Sequence, residues 1–141
     1  VELRDWYGRL LKLCAEPALA RGWFYGLNYA NVKNERFGRI GSEPASGHWL
    51  HAFLRSERRR HGQTFLVVVN LHPEHAHEGV KVWIPAHAIQ WLDSGEGVVS
   101  LQDRLGSGWS THIASGQLAQ HGVDLPVLKP CSAMFLEWGM G

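Results

Sequence analysis

The stretch Gln63-Thr64-Phe65-Leu66-Val67-Val68-Val69-Asn70-Leu71-His72 constrains the fold more than any other part of the chain. Residues 65–69 are an unbroken apolar run rich in valine, with neither glycine nor proline inside. β-Branched side chains favour the pleated, packed surface of a sheet. A short apolar run without polar alternation predicts a strand buried on both faces. It is too short to stand as a helix. An arginine-rich polar turn at residues 55–62 precedes it and His72-Pro73 stops it, so its neighbours are expected to pair with it as the central strand.

The flanking segments have the same texture. Residues 48–55 predict a strand that forms a hairpin with it across the turn. Val80, Val82 and Ile84 alternate with Lys81 and Trp83, predicting a half-buried strand that ends at Pro85. Residues 23–28, 98–102, 109–113, 116–119, 123–128 and 132–138 predict further short strands. Residues 86–91 predict a helical turn or a bend, and residues 31–47 a long loop broken by Asn34, Gly38, Gly41, Pro44 and Gly47. Strands at roughly ten-residue spacing predict an all-β chain, an antiparallel β-sandwich of the Greek-key type.

One N-terminal helix precedes it. Leu3, Trp6, Tyr7, Leu10, Leu11, Leu13 and Cys14 recur at helical spacing, Pro17 opens a second short turn and Gly22 closes it. A lone helix ahead of an all-β chain has little of its own to pack on. Residues 1–22 are therefore expected to belong with an upstream domain, and residues 23–141 to form the β-domain. Val1 is not an initiator methionine, and the chain is expected to be a piece of something longer.

Composition narrows the function classes. A 45% hydrophobic and 19% charged chain is globular rather than disordered. Fourteen basic against thirteen acidic residues leave a net charge of +1, too little to direct the chain to nucleic acid or an anionic membrane. No apolar stretch approaches the ~20 residues of a membrane helix, and none resembles a signal peptide, which favours the cytoplasm. Cys14 and Cys131 allow a single bridge or, as the favoured alternative, two buried free thiols.

Several clusters suggest chemistry. His72, His75 and His77, flanked by Glu74 and Glu78, are dense enough in imidazole and carboxylate for zinc or nickel. A loop after a strand lacks the fixed geometry of a ligand set, however, and no cofactor is expected. A cupin-type set also needs a glutamate where Lys81 and Val82 stand. The four arginines of residues 55–61 suit a polyanion, yet a solvated hairpin tip is the commoner use of such a run. Asp93, Glu96, Asp103 and Asp124 lie beside predicted turns and do not make a glycosidase pair. Ser132 lacks the nucleophile-elbow pattern, so no catalytic residue is assigned.

Seven tryptophans form a heavy allotment, and an exposed indole face is a platform for a sugar ring. Trp83, Trp91 and Trp109 are the candidates, each near a polar strand edge or turn. Trp23, Trp49 and Trp138 are expected in the core or an inter-domain seam.

Three segments resemble the C-terminal end of the α-amylase superfamily, glycoside hydrolase family 13. Residues 3–13 and 17–22 look like the last helix of the catalytic barrel and the passage out of it. Trp49-Leu50-His51-Ala52-Phe53-Leu54-Arg55 followed by residues 64–71 is similar to that domain's hairpin, an arginine-ended strand before a hydrophobic strand that closes on asparagine. Leu101-Gln102-Asp103-Arg104-Leu105-Gly106, residues 122–126 and residues 128–135 match its final strands. The loop at residues 31–47 is long for such a domain, and Cys131 stands where an aromatic is common. The resemblance implies a non-catalytic C-terminal domain that packs on an upstream (β/α)8 barrel of the same polypeptide, in an enzyme acting on α-glucans. Hydrolysis, transglycosylation and isomerisation all remain open for that enzyme, whose catalytic carboxylates would lie upstream. The alternative is an α-glucan-binding module using exposed tryptophans.

Overall fold

The computed structural model describes residues 2–34, 36–37, 49–58, 62–92 and 97–140. Helix α1 (Glu2–Cys14) leads through Glu16 into the short α2 (Pro17–Arg21). Pro17 starts α2 because its missing N–H costs nothing at a first turn. Gly22 ends it: its N–H donates to the Ala18 carbonyl at 3.0 Å, and any side chain at Gly22 would run into that carbonyl.

Strand β1 (Trp23–Gly26) follows, then a 3-10 turn at Asn28–Asn31. The hairpin is β2 (Leu50–Ser56) and β3 (Thr64–Asn70), in register from Leu50↔Asn70 to Ser56↔Thr64. The hydroxyls of Ser56 and Thr64 close its turn end at 2.7 Å. Next come β4 (Lys81–Val82), α3 (Ala86–Leu92), β5 (Val98–Asp103), β6 (Ser110–Ala114), β7 (Val123–Asp124) and β8 (Ser132–Met140).

Six strands form one antiparallel sheet in the order β1-β2-β3-β8-β5-β6, and β4 pairs with β7 in a separate two-stranded ladder. The chain is thus β-rich and antiparallel, with helices at both ends of the β1–β4 region. As expected, β3 lies inside the sheet, and Phe65, Leu66, Val67 and Val68 are fully buried. Its two faces meet different partners, because successive side chains of a strand point to opposite sides.

Leu66 and Val68 face a first core with Leu54 of β2, Leu136 of β8 and Leu101 of β5. Val82, Val123, Ala88 and Leu92 cover it from β4, β7 and α3. Phe65 and Val67 face a second core, where Leu13 and Ala18 are buried and Trp6, Leu10 and Leu19 pack beside them. The helices that the sequence leaves without a surface therefore have one, the second face of the sheet.

Polar bonds fasten this helical layer. Gln63 Oε1 accepts the Ala18 N–H, and Gln63 Nε2 donates to Glu16 and Glu137. Arg104 bridges Glu16 at 2.8 Å and Glu137. Arg55 donates to the carbonyls of Leu19 and Gly22. The first core is fastened by buried asparagines instead. Asn31 Oδ1 accepts the Trp83 N–H, Asn34 Nδ2 donates to the Lys81 carbonyl, and Asn70 Nδ2 donates to the carbonyls of His75, Leu128 and Lys129. Unpaired buried amides are costly, so each asparagine locks a loop to a strand.

Three expected strands differ. Of residues 123–128 only Val123 and Asp124 pair as a strand. Residues 116–119 are not a strand: Ser115–Gln117 form a 3-10 turn that carries Leu118 into the first core. Of residues 80–84 only Lys81 and Val82 pair, although Val80, Val82 and Ile84 do alternate inward. The ladder is short because Trp83 bonds to Asn31 on one side rather than to a strand. Most of residues 31–47 lies outside the described residues, while its first part is anchored by Asn31, Asn34 and the fully buried Phe37.

Candidate functional site

The histidine loop is built on Asn70, whose Oδ1 accepts the His72 N–H. His72 Nδ1 accepts the backbone N–H groups of Glu74 and His75, at 3.1 and 2.9 Å, which leaves its proton on Nε2 when neutral. The rings of His72, His75 and His77 touch in sequence, with centroids 5.7 and 5.4 Å apart, and Trp49 packs on His72 at 4.6 Å. Among the described residues no three His, Cys, Asp or Glu side chains are arranged to hold a metal ion. His77 is buried, its backbone pairs with Leu128, and its Nε2 has no hydrogen-bond partner. Burial first, then the neighbouring His75 and His72, hold its pKa below the ordinary 6.5.

The arginine turn is used internally where it is described. Arg55 caps α2, and Arg58 donates to the Trp91 carbonyl with its guanidinium 5.0 Å from the Trp91 ring centre. Residues 59–61 lie outside the described residues.

The carboxylates serve turns and ion pairs. Asp103 is buried and accepts the N–H groups of Leu105, Phe135 and Ser107 and the Ser107 hydroxyl. Asp124 pairs with Arg36, Lys81 and His121. Asp93 and Glu96 lie outside the described residues. Cys14 and Cys131 are free, as favoured, but exposed rather than buried.

The three candidate tryptophans are half-buried and do not meet one another. Trp83 is tied to Asn31 by its backbone, Trp91 lies under Tyr25 and Arg58, and Trp109 packs against the first core. Trp138 is in the core as expected, whereas Trp23 is 63% exposed. The reason is its place: β1 is an edge strand with a neighbour on one side only.

The open aromatic surface gathers at that edge instead. Phe24, Tyr25, Gly26, Tyr29 and His87 line a groove of about 490 Å³. β1 supplies the first three, the 3-10 turn brings Tyr29 back beside Tyr25, and the start of α3 brings His87. The Tyr25 hydroxyl sits between the Tyr29 hydroxyl and His87 Nδ1, the latter at 3.2 Å. Burial, then the hydrogen bond shared with Tyr29, pushes the Tyr25 phenol up to about 12 and keeps it protonated. Tyr25 rests on Trp91 at 5.1 Å and Phe24 on Phe53 at 5.0 Å, so the groove wall is packed from behind. A consecutive Trp23-Phe24-Tyr25 in the first strand was the available sequence signal.

A second apolar surface lies on α1. Trp6, Leu10 and Leu13 turn toward the sheet, while Tyr7 and Leu11, 52% and 70% exposed, form an outward row with the exposed Cys14. The spacing of three and four residues puts these on one face. No family model, no curated protein and no solved structure matches the chain. No described helix is long and apolar enough to cross a membrane.

Proposed function

We propose that the chain is a non-catalytic C-terminal domain of an α-amylase-like enzyme of α-glucan metabolism, which seats against and stabilises a catalytic barrel through α1. The observation that carries this reading is the double apolar character of α1. Its inner row is buried on the sheet and its outer row, Tyr7 and Leu11, is left open. The two rows adjoin, about 100° apart on the helix, so its apolar surface runs past what the sheet covers and offers a seat to a second body. On this reading α1 is the shared layer: it belongs to the barrel's outer ring and also covers the second face of the β-domain.

The resemblance of residues 3–22, 49–71 and 101–135 supplies the barrel as the second body and α-glucan chemistry as its context. The architecture that goes with it is a Greek-key sandwich, with the β4–β7 ladder as the second layer over the first core. Val82 and Val123, buried in that core, favour this assignment.

The test has two arms. The reading frame upstream of Val1 is expected to encode a barrel-sized run of alternating strand and helix patterns. In that longer protein, the pair Tyr7→Ser and Leu11→Ser lowers the melting temperature more than it does in this chain alone. A start codon immediately ahead of Val1, or equal effects in both proteins, contradicts the proposal.

A further inference from the structure

We propose that the groove at the β1 edge binds a neutral pyranose glycan, stacking a sugar ring on Tyr29 and Phe24 and meeting its hydroxyls with the Tyr29–Tyr25–His87 chain. Phe24 and Tyr29 are 62% and 60% exposed and line a shallow, open groove. The electron-rich face of an aromatic ring attracts the weakly positive C–H face of a pyranose, and the sugar's hydroxyls stay at the rim.

The polar chain suits an uncharged ligand whose groups both give and take hydrogen bonds. The Tyr25 phenol has one proton and two neighbours, the Tyr29 oxygen and His87 Nδ1. If Tyr25 donates to His87, Tyr29 donates to Tyr25; the outer lone pairs of Tyr29 then accept, and His87 Nε2 carries a proton to donate. If the chain runs the other way, Tyr29 donates outward and His87 Nε2 accepts. In either direction one end gives a hydrogen bond and the other takes one. Neighbouring hydroxyls, each both donor and acceptor, satisfy such a pair. A carboxylate or phosphate offers acceptors only and an ammonium donors only. The lining residues carry no Lys, Arg, Asp or Glu, and the guanidinium of Arg58 is engaged with Trp91 behind Tyr25.

The site is also held in shape before any ligand arrives, since Phe53 backs Phe24 and Trp91 backs Tyr25. Gly26 keeps the floor open: a β-carbon there would already stand 3.4 Å from the Phe24 ring. The groove draws no residue from α1, so it stands or falls separately from the surface assigned to the barrel.

The test is an NMR titration of this chain with maltoheptaose, cellohexaose and chitohexaose in turn. At least one is expected to give saturable shifts at the amides of Phe24, Tyr25, Tyr29 and His87. Tyr29→Ala should weaken binding about twofold to tenfold, the worth of one aromatic stack. Tyr29→Phe, which keeps the ring and the fold, should weaken it less, and Gly26→Val should abolish it by filling the floor with every ring intact. Trp109→Phe should leave it unchanged. Absence of saturable shifts with all three sugars, or binding that survives Gly26→Val, overturns the proposal.

Discussion

Both faces of β3 are packed, but they are differently covered. Leu66 and Val68 look toward a cover of loops, a two-residue ladder and α3, in which the loops and the ladder are pinned by buried asparagines. Phe65 and Val67 look toward two helices held by apolar contact, by Arg55, and by a partly exposed polar knot of Glu16, Gln63, Arg104 and Glu137. The first cover faces inward only. The second has an apolar outer surface of its own, which makes it the side on which another body can sit.

Substitutions along β3 and its surroundings break this comparison in order of size. Leu66→Ala, at full burial in the first core, is expected to cost about 2–5 kcal/mol in urea unfolding. Asn70→Ala leaves the carbonyls of His75, Leu128 and Lys129 without their shared donor and should cost about 1–3 kcal/mol, read the same way.

Val67→Ala and Val68→Ala are the sharpest pair, since both side chains are fully buried and differ only in the face they meet. If the helical layer is as much a part of the domain as the loop layer, both cost about 1–2 kcal/mol. A far smaller loss for Val67→Ala would mean that the helices are loosely docked. Arg104→Ala cuts the polar knot, but Arg104, Glu16 and Glu137 are all about a third exposed, so the loss should stay below about 1 kcal/mol and shrink in salt.

The smallest effect concerns His77. Its folded pKa lies below its unfolded value near 6.5, so below that pH the unfolded chain binds more protons than the folded one. Stability is then full above about pH 6.5 and declines as the solution is acidified toward the folded pKa. His77→Leu, which removes the unpartnered Nε2, should flatten that decline in melting curves recorded across the range.

Much of this was legible from residues alone. The run at 65–69 announced burial on both faces, and the hairpin, β5, β6 and β8 followed from local alternation and turn residues. What covers the second face was not legible, because an amphipathic helix does not name the surface it meets. Asn31 read as the start of a loop and Asn34 as one of its breakers; their partners at Trp83 and Lys81 are about fifty residues away, beyond any local pattern. The edge position of β1 was equally hidden. A strand with one neighbour leaves its aromatics open, so Trp23 is at the surface and the aromatic groove falls at Phe24, Tyr25 and Tyr29, where only Trp91 of the three chosen tryptophans takes part, from behind.

The docking of α1 on the sheet is the point on which the rest depends, and native-state hydrogen exchange of the monomeric chain measures it most directly. Amides at Leu10–Cys14 in the last turns of α1 are expected to be protected to nearly the level of those in β3, because both border the second core. Exchange in that segment as fast as in an unstructured peptide, with β3 still protected, would contradict a helical layer built into this domain.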